Sequence, residues 1–463
     1  MNAQSSTAAA VHGLSRAERY AAGAALRHGV PLEQHAEVPR EADRPDPVEL
    51  LVQQDAARLS ELVPIRHGRM SASPFTFYRG SAAVMASDLS RVPNSGLRVQ
   101  LCGDAHVSNF GLFNGPDRRL VFDLNDFDET LPGPFEWDLK RLACSVTVAG
   151  RNNGLKQAKI RSATRSAVSG YRSVLAELAH QDPLSIHYYR IEMDAIIEAT
   201  PEKYLRQVDK AQRKALGRTS LRAFDKLTAT INGKRRIVDD PPRVFHLDVA
   251  SDEKKQVEAF FHAYLSTLPL NRRHLLERYH LIDLAVKVVG VGSVGTRCLI
   301  ILLETGDGEP LFLQFKEATT SVLEPYLGPS QFAQAGERVV QGQRLMQATG
   351  DVFLGWARFT SPQQDHRVDF YFRQLWDGKG SLVVEEMGAR LLAGYARMCG
   401  ATLALAHARS GDAASIQGYL GDDDIFDDAV ADFASAYADI TERDHAAHLA
   451  AIAADRVHAV SDV

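Results

Sequence analysis

The chain runs to 463 residues, 45% hydrophobic and 24% charged, with a formal net charge of −5. That length exceeds one core of about 250–300 residues, so two lobes are expected, and the composition fits neither a disordered nor a fibrous protein. The charge balance implies no nucleic-acid partner, and Cys102, Cys144, Cys298 and Cys399 are too scattered to suggest a disulfide framework or a zinc cluster.

The opening MNAQSSTAAAVHG lacks the basic start and apolar core of a signal peptide, and no apolar run approaches the roughly 20 residues of a membrane span. A cytoplasmic protein with no membrane association is the expectation. Residues 1–48 read as an N-terminal arm, a helix followed by a Pro-containing extended stretch, peripheral to the rest. Residues 49–283 read as a catalytic-loop lobe with a helical insertion: helical spacing in VELLVQQDAARLSELV, alternating strands and loops over 98–128, and helices over 136–180. Within it, Lys203, Arg206, Lys210, Arg213, Lys214, Arg218, Arg222 and Lys226 form either a solvated helix face or a surface for an anionic partner. Residues 284–380 read as an antiparallel β lobe: strand, glycine-rich turn, strand, GDG hairpin, strand, a helix over about 329–347 and two further strands. Residues 381–463 read as helices that pack on the catalytic lobe.

Phosphoryl transfer needs a group that orients the attacking hydroxyl and hard oxygen ligands for Mg²⁺, because positioning and charge neutralisation supply most of the catalysis. The segment from Gly103 to Asn109, GDAHVSN, offers both. Asp104 is placed to accept the substrate proton, Asn109 to reach a metal, and Asp126, at the end of the next strand, to be a second ligand. Asp123 and Asp128 read as capping or turn residues. The pattern CGDAHVSN followed by NDFDETLPGPFEWDL resembles the catalytic segment of the aminoglycoside phosphotransferase branch of the kinase fold, which runs His-Gly-Asp-x-His-x-x-Asn and then an Asp-bearing strand. The resemblance implies catalytic roles for Asp104 and His106, and a buried Asp138 that opens the next helix and steadies the loop. Cys102 stands where that family has His.

Gly290, Gly292, Ser293 and Gly295 lie in a Gly-x-Gly-x-x-Gly pattern, which dinucleotide folds and kinases share. A dinucleotide fold needs a helix directly after the glycines, whereas TRCLIILLE reads as a strand. The following strand, LFLQFKEA, resembles the kinase Val-Ala-Ile-Lys strand. Lys316 would then contact ATP phosphates and pair with a carboxylate on the next helix, Glu337 first and Glu324 second. Gln374, Leu375 and Trp376 would form a hinge whose backbone holds adenine.

In ordinary kinases the glycine loop and lysine precede the catalytic Asp; here they follow it. The expected fold is α+β, a two-lobed protein-kinase-like fold in circularly permuted order. The strings RHGRMSASPFTFYRGSAAVMASDL, LCGDAHVSNFG, NDFDET, LQFKEA, VVQGQRLMQ and YFRQLWDGKGS also resemble the bacterial family called domain of unknown function 2252. The expected activity is an ATP- and Mg²⁺-dependent phosphotransferase on a small-molecule hydroxyl acceptor. An AMP transferase or nucleotide-binding pseudokinase on the same fold is the alternative. A metal-dependent phosphoesterase is suggested by Asp104-x-His106, although no Gly-Asn-His follows, and an interaction module by the basic stretch.

Overall fold

The computed structural model describes residues 13–217, 220–231, 233–241, 243–246, 253–288, 292, 294–361, 366–375 and 377–460. Local signals set the element starts. Ser15 and Glu18 form a reciprocal capping box ahead of helix Arg16–Ala25, and Asp412 caps helix Ala413–Leu420 through the Ser415 N–H. The strands are β1 (Arg98–Leu101), β2 (Phe110–Asn114), β3 (Leu120–Leu124), β4 (Leu131–Pro134), β5 (Ile191–Glu192), β6 (Thr228–Ile231) and β7 (Lys234–Ile237). They continue with β8 (Val244–Phe245), β9 (His280–Lys287), β10 (Cys298–Glu304), β11 (Pro310–Ala318), β12 (Gly355–Ser361) and β13 (His366–Gln374). All described strand pairs are antiparallel, and the fold class is α+β.

The larger core is helical. Helices Phe135–Asn152, Gln157–Leu178, Ala389–Ser410 and Ile425–Ala453 bury one continuous apolar cluster that includes Phe110, Phe135, Tyr171, Leu403 and Phe433. Two of these helices touch backbone to backbone. A Cβ on Gly400 would lie 1.9 Å from the Ala167 carbonyl oxygen, and one on Gly170 would lie 2.3 Å from that of Arg397. Among the described residues no helix is long and apolar enough to cross a membrane.

The second core lies under a six-stranded sheet of order β12-β13-β11-β10-β9-β8. Helix Glu253–Ser266 packs Phe260 and Tyr264 against Phe315, Phe370 and Phe372, with the Tyr264 and Phe372 rings stacked 3.9 Å apart. Alternation along the strands sends Gln314, Lys316, Tyr371 and Arg373 to the opposite face, with Lys316 opposite Tyr371 and Gln314 opposite Arg373. The β unit therefore begins well before residue 284, since β8 and helix Glu253–Ser266 belong to it. Apolar residues of a helix at positions 260 and 264 gave no sign in the sequence that their partner was a downstream sheet.

The N-terminal arm is not peripheral. Gly23 and Gly418 let helix Arg16–Ala25 and helix Ala413–Leu420 touch at the backbone. Further on, the Arg44 guanidinium grips Asp88 and Asp444 at 2.6–3.0 Å. The basic stretch lies on helices Glu202–Leu216 and Ser220–Leu227, with Lys203, Arg206, Lys210, Arg213, Lys214, Arg222 and Lys226 exposed; Arg218 lies outside the described residues.

Candidate functional site

After β1 the chain turns through Gly103, whose φ is +84° and whose Cβ would lie 2.4 Å from the Glu129 carbonyl oxygen, so only glycine fits. The turn is held by Asp138 in the first turn of helix Phe135–Asn152. Its carboxylate accepts the Cys102 N–H at 2.7 Å and the Gly103 N–H at 3.0 Å. His407 Nε2 lies 3.4 Å from that carboxylate, and His407 Nδ1 lies 2.9 Å from the Tyr171 hydroxyl. A histidine from helix Ala389–Ser410 thus supports the loop that carries Cys102.

Asp104 projects from this loop. Arg141 holds its Oδ1 through Nε at 2.8 Å and Nη2 at 2.7 Å, while Oδ2 lies 3.7 Å from His106 Nε2. Burial pushes the Asp104 carboxyl up to about 6; Arg141 pulls it down and Asp126 pushes it up. Burial, and then the charges of Arg79 and Arg141, hold the His106 imidazole well below the ordinary histidine value, so it is neutral. Asn109 Nδ2 donates to the Asp104 carbonyl at 2.7 Å, which leaves its side-chain oxygen as the atom that could ligate a cation.

Asp126 and Asp128 follow β3 and face the sheet. Lys316 Nζ lies 2.5 Å from Asp128 Oδ2 and 3.9 Å from Asp126 Oδ1, and the Tyr371 hydroxyl donates to Asp128 Oδ1 at 2.7 Å. Burial would favour the neutral amine of Lys316, but Asp126 and Asp128 raise it well above the ordinary lysine value. Burial and the Asp128 charge raise Asp126; in Asp128, Lys316 outweighs burial and lowers it. Asp128 is therefore no turn cap but the lysine's carboxylate, because the backbone turn at Phe127–Thr130 points it at the sheet. Asp123 is not a turn residue either: it is buried within β3, where its carboxylate accepts the Leu124 N–H and feels the charge of Arg409.

The expected pairing of Lys316 with Glu337 is not what the structure contains. On helix Ala335–Met346 the inward residue is Arg338, one position along and a turn of about 100° away. Its guanidinium donates to the carbonyls of Thr130, Asp128 and Thr319 at 2.7–2.9 Å, stapling the aspartate loop to the end of the lysine strand. Glu324 accepts the Ser321 and Ser330 N–H groups and lies 3.9 Å from Arg338 Nε.

Two more cations complete the sheet side. Arg373 Nε donates to Gln314 Oε1 at 2.9 Å, and its charge acts on Asp126 and Asp128. Lys379 is lowered to about 7 by burial and then by Arg373, and it also feels Asp351, Asp126 and Lys316. Arg338, Arg373, Lys379, Arg141 and Asp128 gave no motif signal; each owes its place to contacts between distant segments.

The hinge differs from expectation. The Gln374 N–H is taken by Asp351 at 2.5 Å and the Leu375 N–H by the Phe312 carbonyl at 3.0 Å, because pairing with β11 continues past the end of β13. Neither amide is a ready donor to an adenine ring, and Trp376 lies outside the described residues. Gly290 and Ser293 of the glycine-rich turn also lie outside them. Gly292 and Gly295 are placed: a Cβ on Gly292 would meet the Arg79 carbonyl oxygen at 3.2 Å, and Gly295 has a φ of +96° with Arg58 against it.

Among the described residues no group of three or more His, Cys, Asp or Glu converges as a metal-ligand set. Asn109 and Asp126 are the oxygen donors that could hold a cation, and two such donors suit a hydrated Mg²⁺ shared with phosphates better than an all-protein cage.

The model of the family described as "Uncharacterized protein conserved in bacteria (DUF2252)" matches residues 58–451, and the chain belongs to that family. Comparison with curated proteins and with solved structures gave no match.

Proposed function

We propose that this chain is an ATP- and Mg²⁺-dependent phosphotransferase acting on a small-molecule hydroxyl, with kinase-like lobes in permuted order. The observation that carries the reading is the meeting of Lys316 with Asp126 and with Asp128, the latter 188 positions away in sequence, beside a loop that presents Asp104 and Asn109. Connectivity supports it too: β9, the glycine turn, β10, the lysine strand β11, then a helix before β12, the order of glycine loop, lysine and partner helix in kinases. A permuted order would have its seam between helix Ala389–Ser410 and β1. Helix Ala389–Ser410 ends at β1, where the Ser410 hydroxyl accepts the Gln100 N–H at 3.1 Å, so a chain running from that helix straight into the Asp104 loop would restore the usual order.

The residues present fit the ligand pair. Asp104, Asp126 and Asp128 crowd negative charge into a half-buried site, with Asp126 raised by burial and then by Asp128, which suits a divalent cation held by Asn109 and Asp126. Lys316 and Arg373 supply the opposing positive wall for phosphates, and a phosphate beside Lys379 would favour its charged form. Bound Mg²⁺–ATP would supply an electrophilic phosphoryl group with its charge partly neutralised. The chain's own work is positional. Arg141 fixes Oδ1 of Asp104, leaving Oδ2 to accept the acceptor's proton; neutral His106 adds no charge beside it; Asp138 and His407 keep the loop rigid.

Calorimetric titration of ATP, with and without Mg²⁺, into wild type, Lys316→Ala and Asp126→Ala tests the reading. Mg²⁺-dependent binding weakened in both variants is the expected result. Absence of ATP binding to wild type under either condition would overturn it.

A further inference from the structure

The segment between Arg58 and Gly80 is tied to the glycine-rich turn. Arg58 donates to the Val294 carbonyl at 2.5 Å, and the Leu59 N–H donates to the Gly295 carbonyl at 2.7 Å. Leu62 and Ile65 bury Val294. Helix Pro74–Gly80, next along the chain, brings the Arg79 backbone against Gly292 and its side chain into the field of the catalytic loop. The carbonyl of Tyr78, one residue before Arg79, accepts from the same Arg141 Nη2 that holds Asp104, and the charge of Arg79 opposes the burial that raises Asp104 while adding to the burial that lowers His106. Yet this guanidinium has little to hold it. Its Nε is buried without a hydrogen-bond partner, and its nearest carboxylate, Glu385, is 3.8 Å away and 41% exposed. Arg141, by contrast, is fully committed to Asp104 and the Tyr78 carbonyl.

Resting on the phosphotransferase reading above, we propose that Arg79 is a catalytic arginine supplied in cis, standing between glycine turn and base, where it binds the phosphoryl group in flight. In the transfer, the bond from the γ-phosphorus to the β–γ bridging oxygen breaks, its electron pair leaving with ADP. A bond forms from the acceptor oxygen to that phosphorus, and the acceptor's proton passes to Asp104. Arg79 forms no covalent bond. Its planar donors meet the equatorial oxygens, whose charge is greatest during transfer, so it favours that state over bound nucleotide.

The probe is therefore a mimic of the flying group: ADP and Mg²⁺ with aluminium fluoride, compared with ADP and Mg²⁺ alone, each titrated calorimetrically into wild type, Arg79→Met and Arg79→Lys. ADP affinity doubles as the check that each variant is folded. Arg79→Met should bind the fluoride complex at least about tenfold more weakly while ADP affinity moves less than about twofold, with Arg79→Lys between. Equal losses for both ligands, or a loss for neither, would overturn the role of Arg79 and leave the nucleotide site standing. A wild type that binds neither ligand would remove the phosphotransferase reading itself.

Discussion

Asp104 has one carboxylate oxygen clamped by Arg141 and the other open toward His106, so its direction is set before any acceptor arrives. Asp104→Asn preserves shape and an oxygen for Arg141, and removes the capacity to take a proton together with the charge that pairs Arg141. Turnover should fall about 10²–10⁴-fold while ATP affinity stays within about twofold, measured by matched kinetics and calorimetry. Full turnover in that variant would show that Asp104 is not the base. Lys316 differs in kind, because it neutralises Asp128 in addition to the phosphate contact proposed for it. Lys316→Ala should weaken Mg²⁺–ATP binding roughly tenfold or more, and Asp128→Asn in the same chain should recover stability without recovering affinity, since it removes the unpaired buried charge but restores no cation. At this scale the sequence showed what local spacing can show. Asp104, Asn109, Asp126 and Lys316 stand out because short motifs recur around them. Asp128 looked like a turn residue because its partner lies on a strand 188 positions away.

Among elements, helix Ala335–Met346 is instructive. Its place between the lysine strand and β12 was legible from apolar spacing, yet which residue faces the site depended on rotation about the helix axis, and a shift of one residue exchanges Glu337 for Arg338. Gln374 and Leu375 misled for a related reason: the Asp351 carboxylate and one further strand hydrogen bond to Phe312 take up the amides that a hinge would present. Arg338→Ala should expose the consequence. It leaves the carbonyls of Thr130, Asp128 and Thr319 without their buried donor. A loss of about 3 kcal/mol in urea unfolding is expected, with Arg338→Lys recovering only part because one ammonium cannot fork to the same carbonyls. An unfolding midpoint unchanged from wild type would show that the staple is dispensable.

For the whole molecule, the two ends of the chain meet. Composition made the first 48 residues look peripheral, and nothing local tells that Gly23, Arg44 and His35 have partners beyond residue 400. The seam is also where acid should act first. His35 is buried beside Tyr419, its pKa lowered to about 2 by burial and then by Lys140. His448 on helix Ile425–Ala453 is lowered to about 4 by burial and then by His67, with His445 and Arg66 adding to this and Asp55 opposing. Its Nε2 lies 2.9 Å from His67 Nδ1, and His67 Nε2 lies 2.6 Å from Asp55. An unfolded histidine takes its proton near 6.5, so between that value and about 4 the unfolded chain holds a proton that folded His448 refuses. The stabilisation is complete above about pH 6.5 and drains away as pH falls toward about 4, for His448 and His35 alike, with His35 continuing lower. Thermal unfolding followed from pH 7 to 4.5 should show a falling Tm. His448→Gln keeps a donor for His67 but cannot titrate, so its Tm should fall less steeply, whereas the same change at the exposed His274 should leave the wild-type slope intact. Equal slopes in all three proteins would place the acid sensitivity elsewhere than at His448.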